Sequence, residues 1–182
     1  MIVTIHQPNF FPWWPFFEKM EQADLFVCLI NCQFEKNGYQ NRFNYKNNWY
    51  TLSVKKGLDL ITEKVYTDPV SNWQTIKNRL PEHRNFLNQF DDCLFSNLAK
   101  TNMKMMDRIK DIFNIKTPIV TDYKTDLKST DRLVDICKTN GATKYLAGTG
   151  ARSYLDETKF NDAGIEVVFQ NIQEPVHILD KL

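Results

Sequence analysis

The sequence predicts an α/β protein with a mostly parallel, Rossmann-like sheet and a helical insertion or subdomain. Two short apolar strands, at residues 2–6 and 25–30, are joined by a proline-rich loop and a short helix. Such a strand–helix–strand unit is typical of a parallel sheet whose strands are buried on both faces. Strands and helices alternate again after residue 118. We therefore expect a single α/β domain over residues 1–182, with a helical subdomain at about 71–114.

The first half of the chain supports this assignment element by element. Residues 2–6 are short and β-branched, which predicts a buried strand. Residues 7–15 contain three prolines and cannot form a regular helix interior, and a helical pattern resumes at 16–22. After the strand at 25–30, the pair Asn37-Gly38 indicates a turn. Residues 50–54 and 61–66 are predicted as strands of an irregular hairpin region.

The second half begins with helices and returns to the α/β alternation. Apolar side chains recur at helical spacing through residues 71–114, most clearly from Phe86 to Leu98. Strands are predicted at 119–121, 144–147 and 165–169. Ser129 is a favourable N-cap for a helix through Lys138, with Gly141 as its C-terminal stop, and Asp156 caps a short helix that is ended by Gly164.

Composition limits the classes of function. The net charge is +1 and no contiguous basic stretch exists, which argues against a nucleic-acid partner bound through counterion release. The first residues lack the basic region of a signal peptide, and no apolar run has the length of a membrane span. Four scattered cysteines without a second pair indicate reduced thiols rather than a zinc site. We expect a cytoplasmic protein with no membrane span and no metal ligands.

The first candidate site follows the first strand, where ligands bind in open α/β sheets. His6 can act as a general acid or base near neutral pH, or pair with a phosphate. Gln7 and Asn9 supply amide donors and acceptors for substrate, and Trp13 can stack on a base or sugar. The alternative is a structural histidine in a turn shaped by prolines.

The second candidate site follows the second strand, at the same edge of a parallel pair. Glu35 is a candidate base or metal ligand, and Lys36 and Arg42 are candidate phosphate ligands, with Arg42 able to bind in bidentate fashion. The alternative is a solvated polar hairpin. The candidate substrate-binding residues of this segment are Gln33, Tyr39, Asn41 and Arg42.

The third candidate site is the loop that follows the strand at 144–147. Its small residues would let backbone N–H groups approach an anion. It matches neither the dinucleotide fingerprint nor the Walker A motif. The alternative is a plain turn whose glycines are needed for positive φ. The candidate phosphate-binding residues are Gly148, Thr149, Gly150, Arg152 and Tyr154.

Three blocks in order carry a resemblance to a known family: IHQPNFFPWWPFF, ADLFVCLINCQFEKNGYQNR and YLAGTGARSYLDETKFNDAGIEV. Together they resemble the WbqC-like family of bacterial proteins. The resemblance implies an association with O-antigen and surface-polysaccharide gene clusters and work on nucleotide-linked sugars. Typical members of the family continue beyond the point equivalent to Val176, so we expect this chain to lack a C-terminal lid or dimer element.

A second, looser similarity is to HIGH-type nucleotidyltransferases and pantothenate synthetase. The shared features are a strand, a loop with a histidine, a helix, and Ala-Asp before the next strand. In those families the loop histidines bind ATP phosphates. This sequence departs from that pattern because no second histidine follows His6 at the required spacing.

These observations lead to one main functional hypothesis and two alternatives. The main hypothesis is an enzyme of surface-polysaccharide biosynthesis that modifies a nucleotide-linked (amino) sugar by ATP-dependent amide formation or by nucleotidyl or acyl transfer. His6, Glu35 and Lys36 would be catalytic, and ATP would bring Mg²⁺. One alternative is a transferase or hydrolase without ATP, with His6 as base and Glu35 as acid. The other is a non-catalytic binding or assembly protein of the same pathway, whose ligand is a nucleotide sugar or another small phosphorylated molecule. A homodimer remains open.

Overall fold

The computed structural model describes residues 1–182 and confirms the α/β class, with a five-stranded parallel sheet flanked by helices. The strands are β1 (Ile2–His6), β2 (Leu25–Cys28), β3 (Arg42–Tyr45), β4 (Asn48–Thr51), β5 (Ile119–Thr121), β6 (Lys144–Ala147) and β7 (Glu166–Phe169). The helices are α1 (Trp14–Glu21), α2 (Pro69–Arg79), α3 (Arg84–Leu87), α4 (Leu98–Ile112), α5 (Ser129–Thr139) and α6 (Glu157–Asp162).

The chain divides into two compact units. The first, which we call the sheet unit, comprises Met1–His6, Pro15–Leu29 and Ile115–Pro175. The second, the hairpin unit, comprises Gln7–Trp14, Ile30–Asn114 and Val176–Leu182. The predicted helical segment at 71–114 falls in the hairpin unit.

The sheet unit contains the parallel sheet, with strand order β5-β2-β1-β6-β7. From β1 the chain moves to β2 and β5 on one side, and then returns to the other side of β1 as β6 and β7. The direction of strand addition therefore reverses between β1 and β6. In open α/β sheets, this topological switch point is where ligands bind, outside the carboxyl ends of the strands.

The core of the sheet unit forms because its short strands carry apolar side chains on both faces. Val3 and Ile5 of β1 and Val27 of β2 lie on one face and are almost fully buried. Phe26 of β2 is fully buried on the other face. Tyr145 of β6 stacks on Phe160 of α6, with ring centroids 4.9 Å apart and planes within 2°. This packing fixes the strand ends that carry the candidate residues of this unit.

The hairpin unit is built around β3 and β4, which pair in antiparallel fashion. Lys46 and Asn47 form the turn with φ of 48° and 62°, the two positive values that a tight hairpin turn requires. Of the helices in this unit, α4 is the longest at 15 residues. None of the helices in the protein combines the length and the apolar character needed to cross a membrane.

One predicted strand, at residues 61–66, is absent. The segment forms a 3-10 turn at Ile61–Glu63, and only single bridges such as Val54 with Tyr66 flank it. No strand forms because the backbone N–H groups of this segment donate to a part of the chain about 30 residues away. The N–H groups of Ile61 and Thr62 donate to the carbonyls of Cys32 and Ile30, at 2.9 and 2.8 Å, instead of forming a ladder.

The aromatic residues of the first candidate segment form the core of the hairpin unit. Phe10 and Phe11 are fully buried, and the Phe11 ring packs against Phe43 and Phe90 with centroids 5.3 and 5.2 Å away. Phe11 adopts a φ of 47°, which costs on the order of 1–3 kcal/mol for a residue that is not glycine. The packing of the Phe11 ring offsets this cost, so the core of the hairpin unit fixes the conformation of the proline-rich loop.

Candidate functional site

His6 is the last residue of β1 and lies at the topological switch point of the sheet. Its carbonyl accepts a hydrogen bond of 2.8 Å from the Leu29 backbone N–H. The half-buried imidazole lies edge to face against the Phe16 ring of α1, with centroids 4.9 Å apart and planes at 75°. Both strand and helix therefore hold His6 at the edge where ligands of open α/β sheets bind.

A buried lysine from α1 reaches the same edge. Lys19 is only 2% exposed, and its Nζ donates to the Ile5 carbonyl at 3.4 Å, one residue before His6. The position that a Cβ would occupy at Gly148 lies 3.9 Å from the Lys19 Nζ. Because Gly148 directly follows β6, the amine lies at the ends of both strands that define the switch point.

Burial controls the charge of Lys19. Its amine makes no salt bridge, and its hydrogen-bond acceptor is a neutral backbone carbonyl. Desolvation disfavours the ammonium form and lowers the pKa of Lys19 from 10.5 to about 7. A substantial fraction of the amine is therefore unprotonated at neutral pH, where it can act as a base or nucleophile, while the protonated form can attract an anion.

The glycines of the loop after β6 are not there for backbone conformation. Gly148 has φ −68° and ψ 157°, and Gly150 does not have a positive φ either. Any residue could adopt these angles, so a turn that needs glycine for its φ does not explain them. The absence of side chains instead leaves space above the Lys19 amine at Gly148, and open space at Gly150.

The rest of this loop presents a cation at the carboxyl edge. Residues Thr149–Ser153 form a 3-10 turn. The guanidinium of the exposed Arg152 lies 3.9 Å over the ring of Phe169, the last residue of β7. Tyr154 is 62% exposed. All five predicted residues of the third candidate site therefore lie in the sheet unit, together with His6.

The segment that follows β7 anchors α1. Gln170 donates from its backbone N–H to the Ala147 carbonyl at 2.8 Å and from its side chain to the Pro15 carbonyl at 2.7 Å. The Gln173 backbone N–H donates to both carboxylate oxygens of Glu18, each at 3.2 Å. The helix that carries Lys19 is thus tied to the ends of β6 and β7, which preorganises the amine.

In the hairpin unit, Gln7 connects the first and second candidate segments. Its Oε1 accepts a hydrogen bond of 2.6 Å from the Gln40 side chain, and its Nε2 donates to Cys32 Sγ at 3.4 Å. Gln40 Oε1 in turn accepts from the Glu35 backbone N–H at 2.8 Å. The structure therefore brings Gln7 together with the segment that follows β2.

Several predicted ligand-binding side chains of the hairpin unit are open to solvent. Tyr39 is 55% exposed and Trp13 is 45% exposed, and Asn9 is half-buried. Gln33, Glu35 and Lys36 are exposed as well. The ligand-binding roles of these residues remain predictions, as do the catalytic roles of Glu35 and Lys36.

Arg42 and Asn41 stabilise the hairpin. Arg42 Nε donates to the Gly38 carbonyl at 3.2 Å, and a second guanidinium nitrogen donates to the Asn37 carbonyl. The guanidinium also lies 4.0 Å over the Trp49 ring. The buried Asn41 side chain donates at 2.9 Å to the carbonyl of the residue after β4. Both residues therefore contribute hydrogen bonds within the hairpin unit.

A buried asparagine of α4 fixes the proline-rich loop. Asn102 Nδ2 donates to the carbonyls of Pro8 and Gln40, at 2.7 and 2.6 Å. Its Oδ1 accepts from the Tyr66 hydroxyl at 2.8 Å, and burial raises the pKa of that phenol well above its usual range. Asn102 thus satisfies two backbone acceptors that would otherwise be costly to bury.

The other two histidines converge on Tyr45. The Tyr45 hydroxyl donates to Asp180 Oδ1 at 2.9 Å and lies 3.0 Å from His83 Nε2. The ring of His177 stacks on Phe43 with centroids 5.2 Å apart, and its Nδ1 accepts from a backbone N–H two residues later. Burial is the main cause that lowers the pKa of His177 to about 4. His177 is therefore a neutral core residue at neutral pH.

Sequence reasoning missed Lys19, and a specific feature of the sequence could have found it. The helix of eight residues that contains it, WPFFEKME, joins two buried strands. Phe16, Phe17 and Met20 are buried on several sides of this helix. A lysine among them has little solvent-facing surface available. It must therefore be buried, and a buried lysine requires an explanation.

The fold and the first site define a class: an α/β protein with a parallel sheet and a candidate site at its topological switch point. Comparison with known families identifies the chain further. The WbqC-like protein family matches residues 7–177, so the chain belongs to this family, as its sequence blocks predict.

A curated relative supports the assignment. The chain is 27% identical over 186 aligned residues to the "Uncharacterized protein Rv1507c" of Mycobacterium tuberculosis (strain ATCC 25618 / H37Rv), covering 92% of this chain and 80% of the relative. No solved structure matches. The looser likeness to HIGH-type nucleotidyltransferases finds no support in these matches.

Proposed function

We propose that this protein is an enzyme of bacterial surface-polysaccharide biosynthesis that modifies a nucleotide-linked sugar. The reaction takes place at the carboxyl ends of β1 and β6. The observation that carries the proposal is the placement of Lys19, whose amine lies beside the Ile5 carbonyl and Gly148. Burying an amine without a carboxylate partner does not stabilise the fold. Binding of a ligand or catalysis therefore explains the buried Lys19 better than stability does.

The loop after β6 supplies the recognition of phosphate in this proposal. Arg152 is exposed and held over Phe169, so its guanidinium is ready to bind the diphosphate of the ligand with two parallel hydrogen bonds. The small residues Gly148 and Gly150 let that diphosphate approach the backbone. The sugar then extends toward the end of β1.

His6 and Lys19 act on the sugar in this proposal. An imidazole, or an amine whose pKa burial lowers to about 7, is suited to take a proton from the attacking group and to return it to the leaving group. Group transfer by ATP-dependent amide formation, or by nucleotidyl or acyl transfer, requires such a base when the acceptor is an amino sugar. The edge-to-face contact of His6 with Phe16 keeps the imidazole in one orientation.

The test is a product assay. The folded protein is incubated with ATP, a panel of amino acids and other small carboxylic acids, and a dTDP-linked amino sugar, and the products are identified by mass spectrometry. We expect a new sugar product from the wild type and its loss in His6→Asn. The matched control is His83→Asn, a histidine outside the switch point, which should keep full activity.

Three outcomes would each contradict a part of this proposal. Tight binding of the dTDP-linked sugar in isothermal titration without any conversion would indicate a non-catalytic binding protein. Neither binding nor conversion by a folded sample would remove nucleotide-linked sugars as the ligand class. Equal activity of His6→Asn and wild type would exclude His6 from the chemistry.

A further inference from the structure

Lys19 lacks the carboxylate partner that the surface lysine and the two other buried lysines compared here each have. Lysines such as Lys144 lie on the surface and pair with exposed carboxylates. The buried Lys64 and Lys77 pair with Asp59 and Asp91, at 3.0 and 2.7 Å. Lys19 is equally buried, yet its Nζ contacts a backbone carbonyl at 3.4 Å, which is long for a hydrogen bond to an ammonium.

The surroundings of the Lys19 amine include a position without a side chain. The Ile5 carbonyl fixes the amine at the end of β1, and Gly148 presents no side chain over it. The φ of Gly148 is open to any residue, so the backbone does not require glycine here, and the missing side chain leaves free the space beside the amine. A small group on a ligand bound at the switch point would meet the amine from this side.

We propose that Lys19 is a covalent nucleophile that forms an imine with the aldehyde or ketone group of a phosphorylated or nucleotide-linked sugar. The inference rests on the site of the proposed function and names the reactive group of its substrate. It also adds an activity, since an imine draws electrons from the neighbouring carbon and labilises the C–H bond there.

The step is balanced without a further reactant. The unprotonated Nζ attacks the carbonyl carbon, and a proton passes from nitrogen to the former carbonyl oxygen to give a carbinolamine. The second Nζ proton and the hydroxyl group then leave as water, and the C=N bond forms. No atom is oxidised or reduced, and hydrolysis reverses the step. Burial favours the reaction because it holds the amine in its neutral form.

Pyridoxal 5′-phosphate is a suitable probe, since it carries an aldehyde and a phosphate. The full chain is treated briefly at pH 7.5 with this probe, reduced with sodium borohydride, digested and analysed by peptide mass spectrometry. At this pH the neutral fraction of an ordinary surface lysine is roughly a thousandth, whereas most of an amine with a pKa near 7 is neutral. We expect the adduct on Lys19 well before Lys144, Lys64 or Lys77.

Two variants test the direction of approach. Gly148→Val places methyl groups near the amine and should lower the labelling of Lys19 by about tenfold or more, as expected when access controls a nucleophile. Thr158→Val is the control, because this exposed position of α6 lies outside the loop assigned to phosphate, and it should label like the wild type. Gly148→Ala, whose Cβ makes only an ordinary contact with the Lys19 amine, replaces Gly148→Val if the valine variant does not fold.

The outcomes separate this inference from the proposed function. Adducts on surface lysines with Lys19 unmodified, or labelling that does not change in Gly148→Val, would overturn the inference. If Lys19 stays unmodified while a dTDP-linked sugar binds in isothermal titration, the nucleophile is wrong and the proposed ligand class stands. If Lys19 is labelled but no nucleotide-linked sugar binds, the nucleophile stands and the proposed ligand class is wrong.

Discussion

The buried lysines of the two units differ in what they contact. In the hairpin unit, Lys64 donates to the Gly57 carbonyl and to Asp59, and Lys77 donates to Asn88 and to both oxygens of Asp91. In the sheet unit, Lys19 has only the carbonyl of Ile5. The first two lysines connect neighbouring segments of their own unit, so their burial is compensated. Burial of Lys19 is not compensated in this way, which indicates that Lys19 is retained for chemistry rather than stability.

The largest expected effect is on the free energy of unfolding, which Lys19→Met should raise and Lys77→Met should lower. Burial lowers the pKa of Lys19 to about 7, so the folded state binds fewer protons than the unfolded state between pH 7 and 10.5. The wild type therefore loses stability as pH falls through that window. Lys19→Met removes this cost and should raise the free energy of unfolding at pH 7 by roughly 4 kcal/mol.

Lys77→Met should instead lower the free energy of unfolding by about 1–2 kcal/mol, because it removes hydrogen bonds to a charged partner. Urea denaturation at pH 7 and at pH 9.5 measures both variants. Destabilisation of the protein by Lys19→Met would mean that the amine is a structural element like the other two, and the contrast between the units would disappear.

A second prediction concerns acid stability and the hairpin unit. The pKa of the buried His177 is lowered to about 4, so the unfolded state binds more protons between pH 4 and 6.5. The groups facing this imidazole are Asp180, which favours its charged form, and His83, which opposes it. Stability should therefore fall by about 2 kcal/mol from pH 7 to pH 5 through this group alone.

His177→Asn, which stays neutral and keeps a hydrogen-bond acceptor near Nδ1, should show a shallower dependence of stability on pH. His83→Asn is the comparison variant. Thermal unfolding followed by circular dichroism at several pH values provides the measurement. Parallel pH profiles for wild type and His177→Asn would show that this histidine is not buried in its neutral form.

The two arginines of the predicted phosphate sites should also behave differently. Arg152 is exposed and packs only its guanidinium face on Phe169, so Arg152→Ala should weaken binding of thymidine diphosphate about tenfold, or 1.4 kcal/mol, with little change in stability. The Arg42 guanidinium donates to two carbonyls of its own turn. Arg42→Ala should therefore lower the free energy of unfolding and leave the affinity for thymidine diphosphate unchanged. Isothermal titration and urea denaturation of both variants distinguish these roles, and a reversed pattern would move phosphate recognition to the hairpin unit.

The smallest expected effect is at Tyr45, whose hydroxyl contacts Asp180 and His83. Tyr45→Phe removes these contacts at a partly exposed edge and should lower the free energy of unfolding by about 1 kcal/mol. Tyr154→Phe, at an exposed position, should have no effect. Equal stability of the two variants would show that the cluster around Tyr45 contributes nothing to the hairpin unit.

The α/β class and most strand positions could be predicted from sequence because short β-branched segments and helical spacing are local properties. The end of β1 at His6 and the loop after β6 followed from the same reasoning. The segment at 61–66 was wrongly predicted because its hydrogen bonds go to residues 30–32, a distant pairing that leaves no local pattern. Tertiary contacts of this kind override local propensity.

The candidate site was predictable only in part. His6, Gly148 and Arg152 occur in polar segments that attract attention. Lys19 occurs in α1, whose three charged residues suggest a solvent-facing side, although of these only Glu21 is exposed. The fixing of the proline-rich loop by Asn102 depends on contacts across 94 positions of the chain. No spacing rule connects Asn102 with a loop so far away in the chain, so only the structure reveals this contact.

The most direct test of the central claim is a crystal structure of the protein soaked with a dTDP-linked sugar. We expect the diphosphate to lie against residues 148–152 with Arg152 bound to it, and the sugar to point to Lys19 Nζ at the end of β1. A fully occupied ligand that contacts neither this loop nor Lys19 would contradict the assignment of the switch point as the site of chemistry.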